Sequence, residues 1–102
     1  MKFDEFWDAL CKKTSGGFKS QTIARRLPFT ATYSSGKITV IPDYKTKDPR
    51  DLSRKEFLKV WIKAAKLPKH EVFIRKNFND SYSGSYIISM LKTILNGKEI
   101  EE

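Results

Sequence analysis

The sequence has few of the residues that most often carry chemistry or mark a secreted or membrane protein. Its 102 residues include one histidine and one cysteine, Cys11, so no disulfide can form within the chain, which fits a reducing compartment. No stretch of apolar residues is long enough to span a bilayer. The first residues, MKFDE, carry acids where a signal peptide has an apolar stretch. We therefore expect a cytoplasmic protein that has no membrane association.

Candidate catalytic groups are equally scarce. One histidine and one cysteine leave no partners for the usual nucleophilic triads, and no Cys/His cluster has metal-ligand spacing. Asp43-Tyr44-Lys45 resembles the acid and lysine of magnesium-dependent nucleases, in which two acids hold the metal. The preceding segment, Phe29 to Tyr33, should supply the second acid and contains none. We expect no enzyme, no catalytic or metal-binding residue and no cofactor.

Acidic residues are outnumbered, and this imbalance is the strongest compositional signal. The chain has 20 Lys and Arg against 12 Asp and Glu, a net charge of +8. Residues 14–52 and 53–67 each carry +4, whereas the segment from Gly97 carries −2. Such a field attracts polyanions, nucleic acid first. The alternative interpretation is a lysine-rich surface that serves only solubility.

The pattern of apolar residues predicts a helix followed by a β-hairpin. A helix over residues 3–13 has one apolar stripe, formed by Phe3, Phe6, Trp7, Leu10 and Cys11, and Gly16-Gly17 ends it. In FTATYSSGKITVIPDY, residues 29–44, a two-residue turn at Ser35-Gly36 would pair Tyr33 with Ile38. That register places the apolar residues on one face, which favours a hairpin. The Ser-Ser-Gly-Lys stretch is not a phosphate-binding loop, because Ile38 stands where the magnesium-binding hydroxyl is required.

Two further helices are expected in the second half. Ser53 and Glu56 form a capping box for a helix over about residues 54–66, and residues 84–96 form the last helix. Between them, residues 68–80 fit either a third strand at 72–74 or a short helix, and we favour the helix. The fold class is thus α+β in a single small domain over residues 1–96, followed by a flexible acidic tail over 97–102.

Several short motifs resemble those of a known group of proteins. They are Thr22-Ile23 with Phe29, Ser35-Gly36-Lys37-Ile38, Phe57 with Trp61, and Ser85-Tyr86-Ile87-Ile88 with Leu91. Together they resemble small uncharacterised bacterial modules of a helix, a hairpin and further helices, associated with mobile elements, such as integron cassette proteins. The resemblance covers about residues 18–96. It implies no established activity and no catalytic residues.

Two functions remain open. The first is a nucleic-acid-binding module, most readily for DNA, in which the lysine-rich face of the helix over 54–66 contacts phosphates and the edge of the last helix approaches the backbone or bases. Its candidate residues are Arg25, Arg26, Lys37, Lys45, Lys47, Lys55, Lys59, Lys63, Arg75, Lys76, Ser83 and Tyr86. The alternative is a protein-interaction module that forms a homodimer or binds an acidic partner.

Overall fold

A computed structural model describes residues 1–23, 25–43, 48–78 and 83–101, with the backbone alone at residues 75 and 76. These residues form a four-stranded antiparallel sheet and helices packed on it, which confirms the α+β class. The elements in chain order are α1 (Phe3–Thr14), β1 (Phe18–Gln21), β2 (Pro28–Ser34), β3 (Lys37–Pro42), β4 (Arg50–Ser53), α2 (Arg54–Ala65), two 3₁₀ helices (Lys69–Glu71 and Arg75–Phe78) and α3 (Gly84–Leu95).

The central hairpin has the register that its sequence predicts. Tyr33 lies opposite Ile38, and Ala31 lies opposite Val40. The turn residues Ser35 and Gly36 both have positive φ, 50° and 79°, which is the conformation of a tight hairpin turn and suits glycine at the second position. Alternate residues of β2 and β3 are buried, so one face of the hairpin joins the core.

The two outer strands, β1 and β4, extend this hairpin into a meander in the order β1-β2-β3-β4. We did not predict either of them, because each has only four residues and a polar residue on the inner face. Ser20 of β1 shares a 3.2 Å hydrogen bond with Ser89 of α3. Arg50 of β4 lies 5.7 Å from the ring centroid of Tyr86. The alternation of apolar and polar residues does not indicate a strand where the inward side chains are themselves polar.

The helices cover one face of the sheet. α1 packs on β2, α3 on β1, and α2 on β4. Aromatic rings join α1 to α2: the ring centroid of Phe6 lies 5.1 Å from Trp61 and 6.2 Å from Phe57, and Phe3 lies 5.7 Å from Trp61. These rings are buried, so the apolar stripe predicted for α1 forms the contact with α2.

α3 is the most buried helix. From Tyr86 to Leu91 every residue is buried, and Ser89 donates a hydrogen bond to the Gln21 carbonyl at 2.7 Å, which satisfies its hydroxyl inside the core. The helix ends at Asn96, which has the left-handed φ of 47°. Between α2 and α3 the described residues form two 3₁₀ helices rather than a strand, in agreement with the helix that we favoured over residues 68–80.

The C-terminal segment is held against the body, whereas its charge and glycine led us to expect a flexible tail. The Trp61 indole donates to the Glu101 carbonyl at 2.8 Å. The Met1 ammonium donates to the Glu99 carbonyl at 2.7 Å and to the Glu101 carboxylate at 2.6 Å. Buried indole N–H groups need an acceptor, and the segment supplies one to Trp61.

No helix within the described ranges is both long enough and apolar enough to cross a lipid bilayer.

Candidate nucleic-acid interface

The candidate interface is built on α2, whose start is defined by its capping box. The Ser53 hydroxyl accepts a hydrogen bond from the Glu56 amide at 3.3 Å, and the Glu56 carboxylate accepts one from the Ser53 amide at 3.1 Å. Both groups satisfy amides that the first helical turn leaves without partners. Phe57, Trp61 and Ala64 anchor the inner side of the helix in the core. This anchoring fixes which residues of α2 face solvent.

Three lysines, Lys55, Lys59 and Lys66, lie on that outer side and are exposed; we call them the basic face. At about 100° per residue they fall within about 40° of one another around the helix axis. At about 1.5 Å per residue the row is about 16 Å long. Anchored on one rigid helix, the three ammonium groups can reach several phosphates of a nucleic-acid backbone.

Three carboxylates around the start of α2 have other partners. Glu56 closes the capping box. Asp4 pairs with the Arg54 guanidinium at 2.5 Å, and Asp51 accepts a hydrogen bond from the Thr39 hydroxyl at 2.7 Å. Among the described residues, no carboxylate oxygen lies within 4.0 Å of the Lys55, Lys59 or Lys66 ammonium groups. The three ammonium groups of the basic face therefore form no ion pair with a described carboxylate.

Two other cations of α2 differ from the basic face. Lys63, which we expected in the row, is half-buried, and its ammonium lies 5.8 Å from the ring centroid of Phe78. The Arg54 guanidinium lies 4.9 Å above the ring of Phe3 besides pairing with Asp4. Cations placed over aromatic rings stabilise the fold. Lys63 thus links α2 to the second 3₁₀ helix.

Sequence reasoning missed an apolar residue in the middle of the basic face. Ile62 is 43% exposed. It follows Lys55 by seven residues, or nearly two turns, and therefore lies on the same side of the helix. This spacing was the available signal, and it is obscured because Ile62 stands between the core residue Trp61 and the half-buried Lys63. An exposed isoleucine among lysines adds an apolar contact to an otherwise electrostatic surface.

The structure brings one further predicted cation close to the start of α2. Lys37 is exposed at the beginning of β3, and its backbone lies opposite Ser53, the N-cap of α2. Arg25 and Arg26 are also exposed, but they lie in the β1–β2 loop at the other end of β2. The length of β2 separates the two ends by about 20 Å. Lys37 therefore adds a positive charge next to the start of the basic face, whereas the two arginines form a separate positively charged site.

Four other predicted cations lie wholly or partly outside the described residues. Lys45 and Lys47 lie outside the described residues, and the same holds for the side chains of Arg75 and Lys76, whose backbone forms the second 3₁₀ helix.

The predicted edge of α3 lies in the interior rather than on the surface. Ser83 is 7% exposed and Tyr86 is 4% exposed. The Tyr86 ring stands edge-on to Phe29, with the two centroids 5.1 Å apart. The sequence already favoured the alternative in which the serines cap the helix and the tyrosines pack, since Ser and Tyr are typical of such a helix start. A phosphate has no access to Tyr86 in this arrangement.

Two exposed carboxylates accept hydrogen bonds from threonines on the side of the sheet that is turned away from the helices. Thr30 donates a hydrogen bond to the Asp43 carboxylate at 2.9 Å, and Thr39 donates one to Asp51 at 2.7 Å. Because a carboxylate repels phosphate, these two positions are unfavourable for a phosphate contact. Asp43 is the acid of the nuclease-like pattern; it is exposed, and Tyr44 and Lys45 lie outside the described residues.

Within the part of the chain that the structure describes, no group of three or more His, Cys, Asp or Glu side chains could hold a metal ion. His70 is exposed on the first 3₁₀ helix. Cys11 is partly buried, and burial, followed by the nearby Asp8 carboxylate, raises the pKa of its thiol. A thiol with a raised pKa is a poor nucleophile at neutral pH.

Comparison with known proteins adds no assignment. No protein-family model matches the chain, and neither a curated protein nor a solved structure matches it. The resemblance to modules of mobile elements stays a prediction, and the function has to be argued from the surface described above.

Proposed function

We propose that this protein binds nucleic acid through the basic face of α2, without marked sequence preference. The observation that carries the proposal is the row of exposed lysines, Lys55, Lys59 and Lys66, whose neighbouring carboxylates are occupied by other partners. Lys55 and Lys59 are four residues apart, and like charges at that spacing cost helix stability, so this pair does not serve the stability of α2.

The proposed contacts are to phosphates. Lysine ammonium groups act as flexible point charges and give little base discrimination, in contrast to arginine or asparagine set into a groove. Lys37, beside the start of α2, adds a fourth charge. Ile62 would contact a sugar or a base edge. Duplex DNA is the preferred partner, since the major groove is wide enough for an α-helix.

The decisive experiment distinguishes the effect of the basic face on DNA affinity from the effect of the net charge. The variant Lys55→Glu/Lys59→Glu/Lys66→Glu should lose duplex DNA binding while keeping its circular dichroism spectrum. The matched control, Lys12→Glu/Lys19→Glu/Arg25→Glu, changes the charge equally, since three substitutions of a cation by Glu take the net charge from +8 to +2 in each variant. Those residues lie near the end of α1, on β1 and in the β1–β2 loop. The control should retain most of the affinity in an anisotropy titration.

The proposal fails if both variants lose affinity to the same extent, because net charge alone would then account for binding. Lys63 is left unchanged in the test, since its contact with the Phe78 ring gives it a role in folding. A Lys63→Glu substitution would confuse loss of binding with loss of structure.

Self-association, the alternative function, has less support. The two edge strands of the sheet, β1 and β4, have four residues each and carry the charged residues Lys19, Arg50 and Asp51. Short, charged edges resist pairing with another sheet. Stacking two basic faces would place like charges together. Light scattering is expected to give the monomer mass.

A further inference from the structure

A groove of about 320 Å³ lies between the C-terminal ends of α2 and α3, away from the start of the basic face. Its walls are mostly apolar: Leu67, Val72, Phe73, Leu95 and Ile100 contribute to them. Of these, Leu67, Phe73 and Ile100 are only partly buried, so the groove leaves apolar surface open to solvent. This volume is at the lower end of the range for small-molecule sites.

Lysines surround this apolar surface. Lys69, Lys92 and Lys98 line the groove, against the single acid Glu99. All three lysines are exposed, and among the described residues no carboxylate oxygen lies within 4.0 Å of their ammonium groups. The C-terminal ends of α2 and α3 place partial negative charge, roughly half a unit each, at the same end of the molecule. Three full positive charges outweigh Glu99 and these partial charges together.

One wall of the groove is the C-terminal segment, which hydrogen bonds hold in place. Gly97, Lys98, Glu99 and Ile100 line the groove. The Lys98 amide donates to the Leu95 carbonyl at 2.9 Å, and the Trp61 indole holds the Glu101 carbonyl at 2.8 Å. A wall fixed in this way lets a ligand bind without first ordering the chain, which lowers the cost of binding.

We infer that this groove binds a small amphipathic anion, an aliphatic carboxylate with a chain of medium length. The apolar walls would take the chain, and the lysines would take the carboxylate. A volume of about 320 Å³ is many times the space that one water-sized group requires, which is enough for a chain of medium length. This inference is independent of the proposed nucleic-acid binding, because it rests on different residues.

The test is a titration of the whole chain with decanoate below its micelle-forming concentration, followed by two-dimensional NMR. We expect saturable shifts of the amide signals of Leu67, Phe73 and residues 97–100. Decyltrimethylammonium has the same chain and the opposite charge, and it should bind about tenfold more weakly or worse. Acetate, which has the charge without the chain, should give no saturable shifts.

Two variants locate the site. Lys69→Gln/Lys92→Gln/Lys98→Gln should weaken decanoate binding about tenfold, since each exposed charge contributes a small factor. Ala65→Phe should fill the groove from α2 and abolish binding, with thermal unfolding as the check that it folds. Lys55→Gln, about 15 Å along α2 from Ala65, is the control and should bind as the original chain does.

The inference is overturned if decanoate causes no saturable shifts, if it shifts signals away from the groove, or if the cationic detergent binds equally well. Unchanged affinity in the triple glutamine variant would overturn it as well. None of these outcomes affects the duplex DNA titration, so the two proposals stand or fall separately.

Discussion

Replacing Phe6 with alanine probes the contact that joins α1 to the rest of the molecule. Phe6 is fully buried, and its ring centroid lies 5.1 Å from Trp61, 5.9 Å from Phe3 and 6.2 Å from Phe57. Removing a buried phenyl ring costs about 3–5 kcal/mol through lost burial and the cavity left behind. With three aromatic neighbours around the ring, we expect Phe6→Ala to cost about 4 kcal/mol, the middle of that range.

A loss of this size is large beside the whole stability of the fold. Domains of this length unfold with about 5–15 kcal/mol, so Phe6→Ala should lower the ratio of folded to unfolded chain about a thousandfold. Urea unfolding followed by tryptophan fluorescence measures it directly, because Trp61 lies beside Phe6 and Trp7 stacks on Phe3 in the same aromatic cluster. With a slope of about 1.5 kcal/mol per molar urea, the midpoint should fall by about 2–3 M.

The control is Ile62→Ala on the exposed side of α2, where 43% of the side chain is open to solvent. It should cost less than about 1 kcal/mol. If Phe6→Ala shifts the midpoint no further than Ile62→Ala does, α1 does not pack on α2 as described.

Three other predictions concern a helix cap, a thiol and a carboxylate. Ser53→Ala should cost about 1 kcal/mol and lower the melting temperature by roughly 4–8 °C, whereas Ser53→Asp should be nearly neutral; equal losses in thermal circular dichroism would contradict the capping box. Because the pKa of Cys11 is raised, its reaction with a disulfide reagent should require a more alkaline pH than the reaction of free cysteine. Asp8→Asn should move the dependence of the reaction rate on pH back toward neutral pH. The same dependence on pH as that of free cysteine would contradict this prediction. The hydrogen bond from the Met1 ammonium and its positive charge lower the pKa of Glu101. At a pH above the ordinary pKa of a carboxyl group, the ionised Glu101 therefore helps to hold the C-terminal segment in place. This stabilisation is lost as the pH falls through the lowered pKa of Glu101. Trp61 fluorescence should report that acid transition, and Glu101→Gln should remove it; the same transition in the variant would show that another group causes it.

The hairpin and the capped helix could be predicted because each is specified by neighbouring residues. The turn at Ser35-Gly36 sets the register, and the alternation of side chains confirms it within the same 16 residues. The cap of α2 likewise depends on two residues three positions apart. Local signals of this kind can be recognised in the sequence without knowledge of the tertiary structure.

The outer strands could not be predicted because distant residues complete them. Ser20 faces the core through a hydrogen bond to Ser89, 69 positions away in the sequence. Arg50 faces inward over the ring of Tyr86. A polar residue at an inward position looks like a loop until its partner is known, and the sequence alone does not pair residues at such separations.

The candidate interface, like the fold, could be predicted only where neighbouring residues specify it. Helical periodicity identified Lys55 and Lys59 as outward-facing, and both are exposed. It could not show that Lys63 turns toward Phe78 or that Tyr86 packs on Phe29, because those contacts join segments far apart in the chain. The same periodicity places Lys66 in the lysine row, and Lys66 is exposed on the basic face.

The central claim is that lysines of α2 contact phosphates, and a salt series of duplex DNA binding tests it most directly. If Lys37, Lys55, Lys59 and Lys66 each neutralise one phosphate, the logarithm of the affinity should fall linearly with the logarithm of salt concentration, with a slope of about −3.6. The variant Lys66→Gln should reduce that slope by about 0.9. No binding at low salt, or a slope that Lys66→Gln leaves unchanged, would contradict the account.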